Sequence, residues 1–465
     1  MPIRHTRRRY DALIAPLIVT QLTALSSAAG ASYRQKAEEQ TAFCQTHFYQ
    51  ADAQRYHGSS PLDPKGLPYA MMWDNGVMLR ALVVAAHYDP TTYRPLLDSF
   101  GAGLRDYWAS RTAIPGFTAY CSGPDGNDKY YDDNAWMVLG FLEAYQETHD
   151  PKFLNWAKET QHFVLSGWDD RLGGGIYWHV KHQSKNTCVN APAAVSALRL
   201  YELTGDRDQL DWALKIRKWV NATLQDSDGL YWDNINIDGH IEKTKWTYNT
   251  GLMIQANVLL YRLQHQKQDL REAERIADAS IAAWQDPKTG AFQNDVSFTH
   301  LLCEGLLNLY QADHDRRYLD AVRRHAAYGY RTARDPQGGY WNHWTGNHKP
   351  DDRKSLLENA SDARLFWLLA PYPDSDALYA QGMNSVRARQ DVRAEALFRE
   401  AANSDTEAVE ARYQLWRVLV RHKKTAQAHA VEDELAHLSA TPTLRTRLEA
   451  VGWRPQADNK AFVLE

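Results

Sequence analysis

The chain has 465 residues, 44% of them apolar and 24% charged, and a formal net charge of −4. That balance excludes a mainly disordered chain and a polytopic membrane protein, and without a basic block nucleic acid is excluded as a partner. Its 12 Phe, 16 Trp and 25 Tyr supply many flat apolar plates, and Trp and Tyr keep a polar edge suited to lining a groove.

At the N-terminus, Arg4, Arg7, Arg8 and Arg9 precede an apolar stretch from Ala12 to Leu25, and small residues follow, ending in Ala29-Gly30-Ala31. Basic, then apolar, then A-x-A is the order of a secretory signal, which predicts a leader over residues 1–31 and an exported protein. The stretch is too short and too polar to span a membrane. The competing reading is an extension of the first helix, because Asp11 and Pro16 interrupt the pattern.

From residue 32 two kinds of helical pattern alternate. One kind runs Asp74–Tyr88, Asp132–Thr148, Val189–Thr204, Tyr248–Gln264, Phe298–Ala312 and Asn359–Ala370. It is apolar nearly all round and carries small residues such as Gly140, Ala194, Gly251, Gly305 and Ala363, which allow close packing around an axis. The other kind, near 33–51, 91–109, 151–166, 207–224, 269–284 and 316–333, is amphipathic and more charged. Six alternating pairs predict an all-α protein, an (α/α)6 toroid of six inner and six outer helices over residues 32–372; the alternative is an open solenoid of hairpins.

The connections repeat as well. Gly173-Gly174-Gly175-Ile176-Tyr177-Trp178, Asp228-Gly229-Leu230-Tyr231-Trp232, Thr289-Gly290-Ala291-Phe292 and Gly338-Gly339-Tyr340-Trp341 each join a glycine turn to β-prone aromatics just before an inner helix. They predict hairpin-like loops on one face of the ring. Trp136, Trp178, Trp232 and Trp341 are candidates for stacking on pyranose rings; the plainer role for such aromatics is to cap the barrel.

After Pro371 and Pro373 the chain becomes rich in Ala, Arg and Glu. Two hairpins align at an offset of 34, with Gly382, Ala394, Phe398 and Ala401 of the first at the tetratricopeptide spacing. In the second, Trp416 and Glu432 stand at the Gly and Phe positions. The tail, 373–465, therefore resembles a degenerate tetratricopeptide pair that either packs on the ring or receives a protein partner.

The chemistry-bearing segment is Lys129-Tyr130-Tyr131-Asp132-Asp133-Asn134-Ala135-Trp136, which opens the second inner helix. One Asp suffices to cap a helix. Two adjacent carboxylates among aromatics are better suited to glycoside cleavage: like charge and apolar neighbours keep a proton on one while the other stays ionised. Other residues at helix starts that could bind sugar hydroxyls are Trp73, Asp74, Asn186, Asn190, Tyr248 and Asn249, with Tyr131 and Trp136 beside the acid pair. His300 reads as a core histidine. Cys44, Cys121, Cys188 and Cys303 include no C-x-x-C pair and are expected to be free and mostly buried. No cofactor or metal is expected: the zinc-protease, P-loop, nucleophile-elbow and dinucleotide motifs are absent, and Asp125-Gly126-Asn127-Asp128 lacks the closing Glu of a calcium loop.

The run from Tyr130 to Trp136 resembles the signature of glycoside hydrolase family 76, the endo-α-1,6-mannanases. The resemblance extends from residue 33 to about 370 and takes in Trp73-Asp74-Asn75-Gly76, Lys185-Asn186 followed by Asn190, and Trp246-Thr247-Tyr248-Asn249-Thr250-Gly251. It implies the (α/α)6 fold, α-mannan as substrate, and a retaining mechanism with Asp132 as nucleophile and Asp133 as acid/base. The chain departs from the family at Thr187-Cys188-Val189-Asn190-Ala191-Pro192, with a proline early in the helix, and in its added tail. A monomer is expected. Two other classes compete: a sugar epimerase on the same ring, drawing on His179, His182, His300 or His343, and a non-catalytic carbohydrate-binding scaffold.

Overall fold

The structure, a computed structural model, describes residues 31–342, 344 and 353–454. The leader expected over residues 1–31 lies almost wholly outside them. Among the described residues, no helix is long and apolar enough to cross a membrane.

Twelve helices build the ring. The inner six are α2 (Met72–Tyr88), α4 (Tyr131–Thr148), α6 (Thr187–Thr204), α8 (Thr247–Gln264), α10 (Val296–Asp313) and α12 (Leu356–Leu369). The outer six are α1 (Tyr33–Phe48), α3 (Pro90–Leu104), α5 (Pro151–Ser166), α7 (Arg207–Thr223), α9 (Lys267–Trp284) and α11 (Arg316–Thr332). Each inner helix packs on the next, and α12 returns to α2, so the ring is closed. The inner helices bury nearly every side chain, whereas the outer ones bury one stripe, as their sequence patterns require. Closure depends on small residues where backbones meet. A Cβ on Gly251 would stand 2.5 Å from the Leu301 carbonyl oxygen, and one on Gly305 would stand 2.5 Å from that of Gly251, so α8 and α10 touch main chain to main chain.

The two ends of the ring differ. At one end five of the six inner helices pass to an outer neighbour through one or two residues, and α12 passes instead to the tail. A left-handed residue (His149, Gly205, His265 or His314) closes four inner helices. In three of these links an Asp follows at once and caps the next helix: Asp150 accepts from Lys152 N–H, Asp206 from Asp208 N–H and Asp315 from Arg317 N–H. At the other end the links run from 11 to 26 residues. Antiparallel pairing ties these long links to one another: Ser59-Ser60 pairs with Lys354-Ser355, and Ser184–Asn186 pairs with Trp232–Asn236, which pairs with Ile241–Lys245. The expected hairpins form, with isolated bridges Trp168–Ile176, Gln225–Tyr231, Gln285–Phe292 and Arg334–Tyr340. Tyr177, Tyr231, Phe292 and Tyr340 are buried, so these aromatics cap the barrel.

Midway down the axis lies a charged cluster. Arg80 bonds Glu143 and Glu304 at 2.6 Å each, Arg364 bonds the same pair at 3.0 and 3.1 Å, and Arg199 reaches Glu143 at 3.4 Å. Buried charges survive there only because each faces its opposite.

The tail forms α13 (Ser375–Arg387), α14 (Asp391–Ser404), α15 (Val409–Arg421), α16 (Thr425–Leu438) and α17 (Pro442–Ala450), around apolar clusters of its own. The helices α13–α14 and α15–α16 pair as hairpins with matching lengths. Gly382 makes room for the Phe398 ring. One face packs on the ring: α14 lies against α11, where Arg316 and Arg323 pair with Glu400 and Arg331 pairs with Asp405.

Candidate active site

Burial along the inner helices locates an opening at the end with the long links. In α2, α4 and α12 the first residue is buried, the second and third are half-exposed, and the residues just below are closed off. These half-exposed pairs are Trp73-Asp74, Asp132-Asp133 and Leu357-Glu358; Tyr248 of α8 and Phe298 of α10 are half-exposed at the corresponding height. First-turn positions bring the carboxylates to the positive ends of helix dipoles, converging on one mouth.

In three of the six inner helices the fourth residue, an asparagine, does something else. Asn134 accepts from Phe117 N–H at 2.7 Å and donates to the Phe117 carbonyl at 2.9 Å. Asn190 does the same to Ile176 (2.8 and 2.9 Å), and Asn359 to Tyr340 (2.9 and 3.1 Å). Each is a two-point clamp fastening a long link to the helix that follows.

The two central aspartates have unlike surroundings. Asp132 Oδ2 accepts from Trp178 Nε1–H at 2.8 Å and from the Cys188 thiol at 3.5 Å, while Oδ1 accepts from Asp133 N–H at 3.0 Å. Burial pushes its pKa up, and these donors hold the rise to about 6. No donor among the described residues reaches the Asp133 carboxyl. Burial and then the negative charges of Asp132, Asp74 and Asp128 push its pKa well above the usual carboxylate range. The pair therefore titrates as a unit in which the first charge settles on Asp132. Asp74 is pushed up to about 7 by burial and by Glu358, against one bond from Met71 N–H at 3.3 Å.

Facing the acids is an aromatic wall. The Phe298 ring lies 4.8 Å from Tyr248, 5.6 Å from Trp73 and 5.2 Å from Trp246. Tyr248 adjoins Cys188, and Asp233, raised mainly by its burial, adjoins Asn249 and Asn234. Asn249 is fully buried. Asn186 accepts from the Ser184 hydroxyl at 2.7 Å.

Four residues expected in the groove are elsewhere: Asn249, whose two amide atoms are both buried, and three more. Trp136 is 3% exposed and lies in the core, where Gly76 leaves room for it. Tyr131 is 4% exposed and stacks at 4.8 Å on Phe163 of α5, wedging α4 against its outer neighbour. Asn190 has its amide engaged by main chain, as described. Neither a ring already sandwiched nor an amide already paired has a face left for sugar. Conversely, Cys188, Asp233, Phe298 and Glu358 stand at the mouth and were not singled out. Cys188, Phe298 and Glu358 sit in the register of Asp132 and Asp133, so reading the second and third residues of every inner helix finds them.

The histidines form no inner-helix pair. His179 Nε2 bonds Asp128 at 2.9 Å, and His182 stacks on Tyr177 at 4.2 Å. His300 Nδ1 bonds the Val296 carbonyl, and burial pushes its pKa down to about 4. His343 lies outside the described residues. Asp125 pairs with Arg111, so the loop that faintly suggested calcium is tied into the link before α4. All four cysteines are free thiols, three of them buried.

The family model for glycosyl hydrolase family 76 matches residues 33–366, which is the ring just described. The chain belongs to glycosyl hydrolase family 76. A family 76 α-mannanase of Bacteroides thetaiotaomicron is 25% identical with a TM-score of 0.69, over 74% of this chain and 96% of that one. An inactive variant of the α-1,6-mannanase of Salegentibacter sp. HEL1_6, with two adjacent aspartates changed to asparagine and α-1,6-mannotriose bound, is 25% identical with a TM-score of 0.63, over 73% and 99%. A mannan endo-1,6-α-mannosidase of Saccharomyces cerevisiae is 29% identical over 30% of this chain and 34% of its own. The chain spans less than two thirds of the length of the first curated relatives it matches. The family match ends before the tail.

Proposed function

We propose that this family 76 protein hydrolyses α-1,6-mannosidic linkages of α-mannan by double displacement with retention. The observation that carries the reading is the unequal solvation of two neighbouring carboxyls in one aromatic-walled mouth: three donors on Asp132, none on Asp133. Asp132, ionised, attacks the anomeric carbon while Asp133 gives its proton to the departing glycosidic oxygen. A glycosyl ester on Asp132 results. Asp133, now a carboxylate, takes a proton from water as that water attacks the ester, and both groups return to their starting states. Retention requires the two carboxyls about 5–5.5 Å apart at the sugar. Successive helix residues diverge by about 100°, so rotamers turned toward each other are needed.

Trp73, Tyr248 and Phe298 offer faces for pyranose rings, and Asp74 and Asn186 offer polar atoms for hydroxyls. The Salegentibacter mannanase, inactive with both adjacent aspartates replaced and holding α-1,6-mannotriose, supports the assignment by analogy of position.

The test is incubation of the purified protein with linear α-1,6-mannan and a linkage-isomer control, with product anomers followed by NMR. Release of α-configured reducing ends from the 1,6-linked chain alone is expected. Folded protein that cleaves no α-mannan refutes the activity, and initial β-anomers refute retention.

A further inference from the structure

Oδ2 of Asp132 is met by donors from two different elements. Trp178 comes from the link before α6 and gives its indole N–H at 2.8 Å; Cys188 comes from the first turn of α6 and gives its thiol at 3.5 Å. We infer that Trp178 and Cys188 are positioning residues that fix the plane of the Asp132 carboxylate and commit it to the unprotonated state. The inference rests on Asp132 being the nucleophile of the proposed reaction.

The chemistry of the donors is one-sided. An indole nitrogen only donates, so the oxygen facing it must be an acceptor. Burial raises the Cys188 pKa well above that of a free thiol, so it keeps its S–H and also donates. A carboxylate that merely capped α4 would turn to the free N–H groups of that helix. Asp132 Oδ1 does take one such N–H, that of Asp133, but Oδ2 is turned to Trp178 and Cys188, on the link before α6 and on the adjacent α6 itself.

Trp178 is also held more firmly than an exposed aromatic needs to be. It is 39% exposed, yet its N–H donates to the Ser184 carbonyl at 2.9 Å and its carbonyl accepts from Tyr131 N–H at 2.8 Å. Its ring meets Tyr130 edge-on at 4.9 Å. The link is thus registered on the residue directly before Asp132. Cys188 is also engaged by Tyr248, whose side chain adjoins it. With Oδ2 holding two donors and Oδ1 holding the Asp133 N–H, the carboxylate has one orientation, and the remaining lone pair of Oδ1 is the one that attacks.

The experiment reads Asp132 directly. In a D133N background, where Asp132 titrates without its neighbour, protein carrying 13C-carboxyl aspartate is titrated by NMR, with the Asp132 signal assigned by its loss in D132N. Adding Trp178→Phe is expected to raise the Asp132 midpoint by about half a pH unit or more, because a donor to the charged form is gone. Cys188→Ala is expected to give a smaller rise, and Cys188→Ser, which keeps a donor, to stay near the parent. In parallel, W178F in otherwise native protein should lower kcat on α-1,6-mannan about tenfold or more, leave KM within about threefold, and move the acid limb of the pH profile upward. A purely packing role would move neither the midpoint nor the limb. Midpoints unchanged in both W178F and C188A overturn the inference, whatever the turnover. A shifted midpoint in protein that cleaves no mannan upholds the positioning and refutes the proposed activity instead. Since Trp178 is partly exposed and Cys188→Ser is nearly isosteric, at least one variant remains folded for the measurement.

Discussion

Asp132 and Asp133 differ by one position and belong to opposite protonation states, because their neighbours differ. Activity on α-mannan should therefore rise with pH as Asp132 loses its proton near 6, and fall at higher pH as Asp133 loses its own. A bell-shaped kcat/KM profile is the expected result. Replacing Asp133 by Asn should lower the rate on mannan by about 10²–10⁴-fold, the usual contribution of a general acid. The loss should be much smaller on an aryl α-mannoside, whose leaving group needs no proton. D132N should be inactive on both, and comparing the two substrates separates the roles. The acid pair was legible in the sequence because two charged residues at one helix start exceed what capping needs. Tyr131, Trp136 and Asn190 were misread because adjacency in the chain does not fix which way a side chain turns. On a helix, three steps of about 100° carry the chain through about 300° from Tyr131 to Asn134, so these two lie near one face, against Phe163 and the link residue Phe117, while Asp132 and Asp133 face the mouth.

The six inner helices and their order were legible as elements because apolar-all-round patterns alternated with one-sided ones. Their starts were placed up to three residues late, as at Asn359 against Leu356, since the first turn carries the polar residues that face the mouth or clamp the links. Those clamps bear weight. Asn359 holds both polar groups of Tyr340 and accepts from Gln40 at 2.8 Å. Asn359→Ala strands several buried groups and should cost about 1–3 kcal/mol or more in urea unfolding. Gly251→Ala should be comparably harmful, lowering stability by about 1–3 kcal/mol, because α8 cannot move away from α10 without opening the ring. Both variants are read by equilibrium unfolding.

For the molecule as a whole, two sets of carboxyls pull stability in opposite directions with pH. Glu143 and Glu304 are held below their ordinary values by Arg364, Arg80 and Arg199, which outweigh burial; their stabilisation is present above pH about 4.5 and is lost as pH falls through the depressed values. Asp74, Asp132 and Asp133 are raised, so their contribution is fully present below pH about 4 and is lost as pH rises through 6 and 7. Thermal stability should peak between these ranges, near pH 5, and D133N should melt a few degrees above the native protein at pH 7.5 while losing activity. The tail joins this account through Arg323, which is buried in the ring and reaches Glu400 at 3.0 Å. A chain ending at residue 372 should melt at a lower temperature, because α11 loses its packing against α14 and the ion pairs to Glu400 and Asp405, leaving Arg323 with Asp320 alone. Differential scanning calorimetry of the two chains checks this.

The asymmetry of the ring's two ends has an evolutionary corollary. Where inner and outer helices join through one or two residues, an insertion has nowhere to go. New recognition can arise only in the six long links, three of which are latched to the helix that follows by a fourth-position asparagine. The scaffold therefore works as a socket: swapping a whole link together with its latch between family members should transplant sugar preference while the wheel of helices beneath stays as it was.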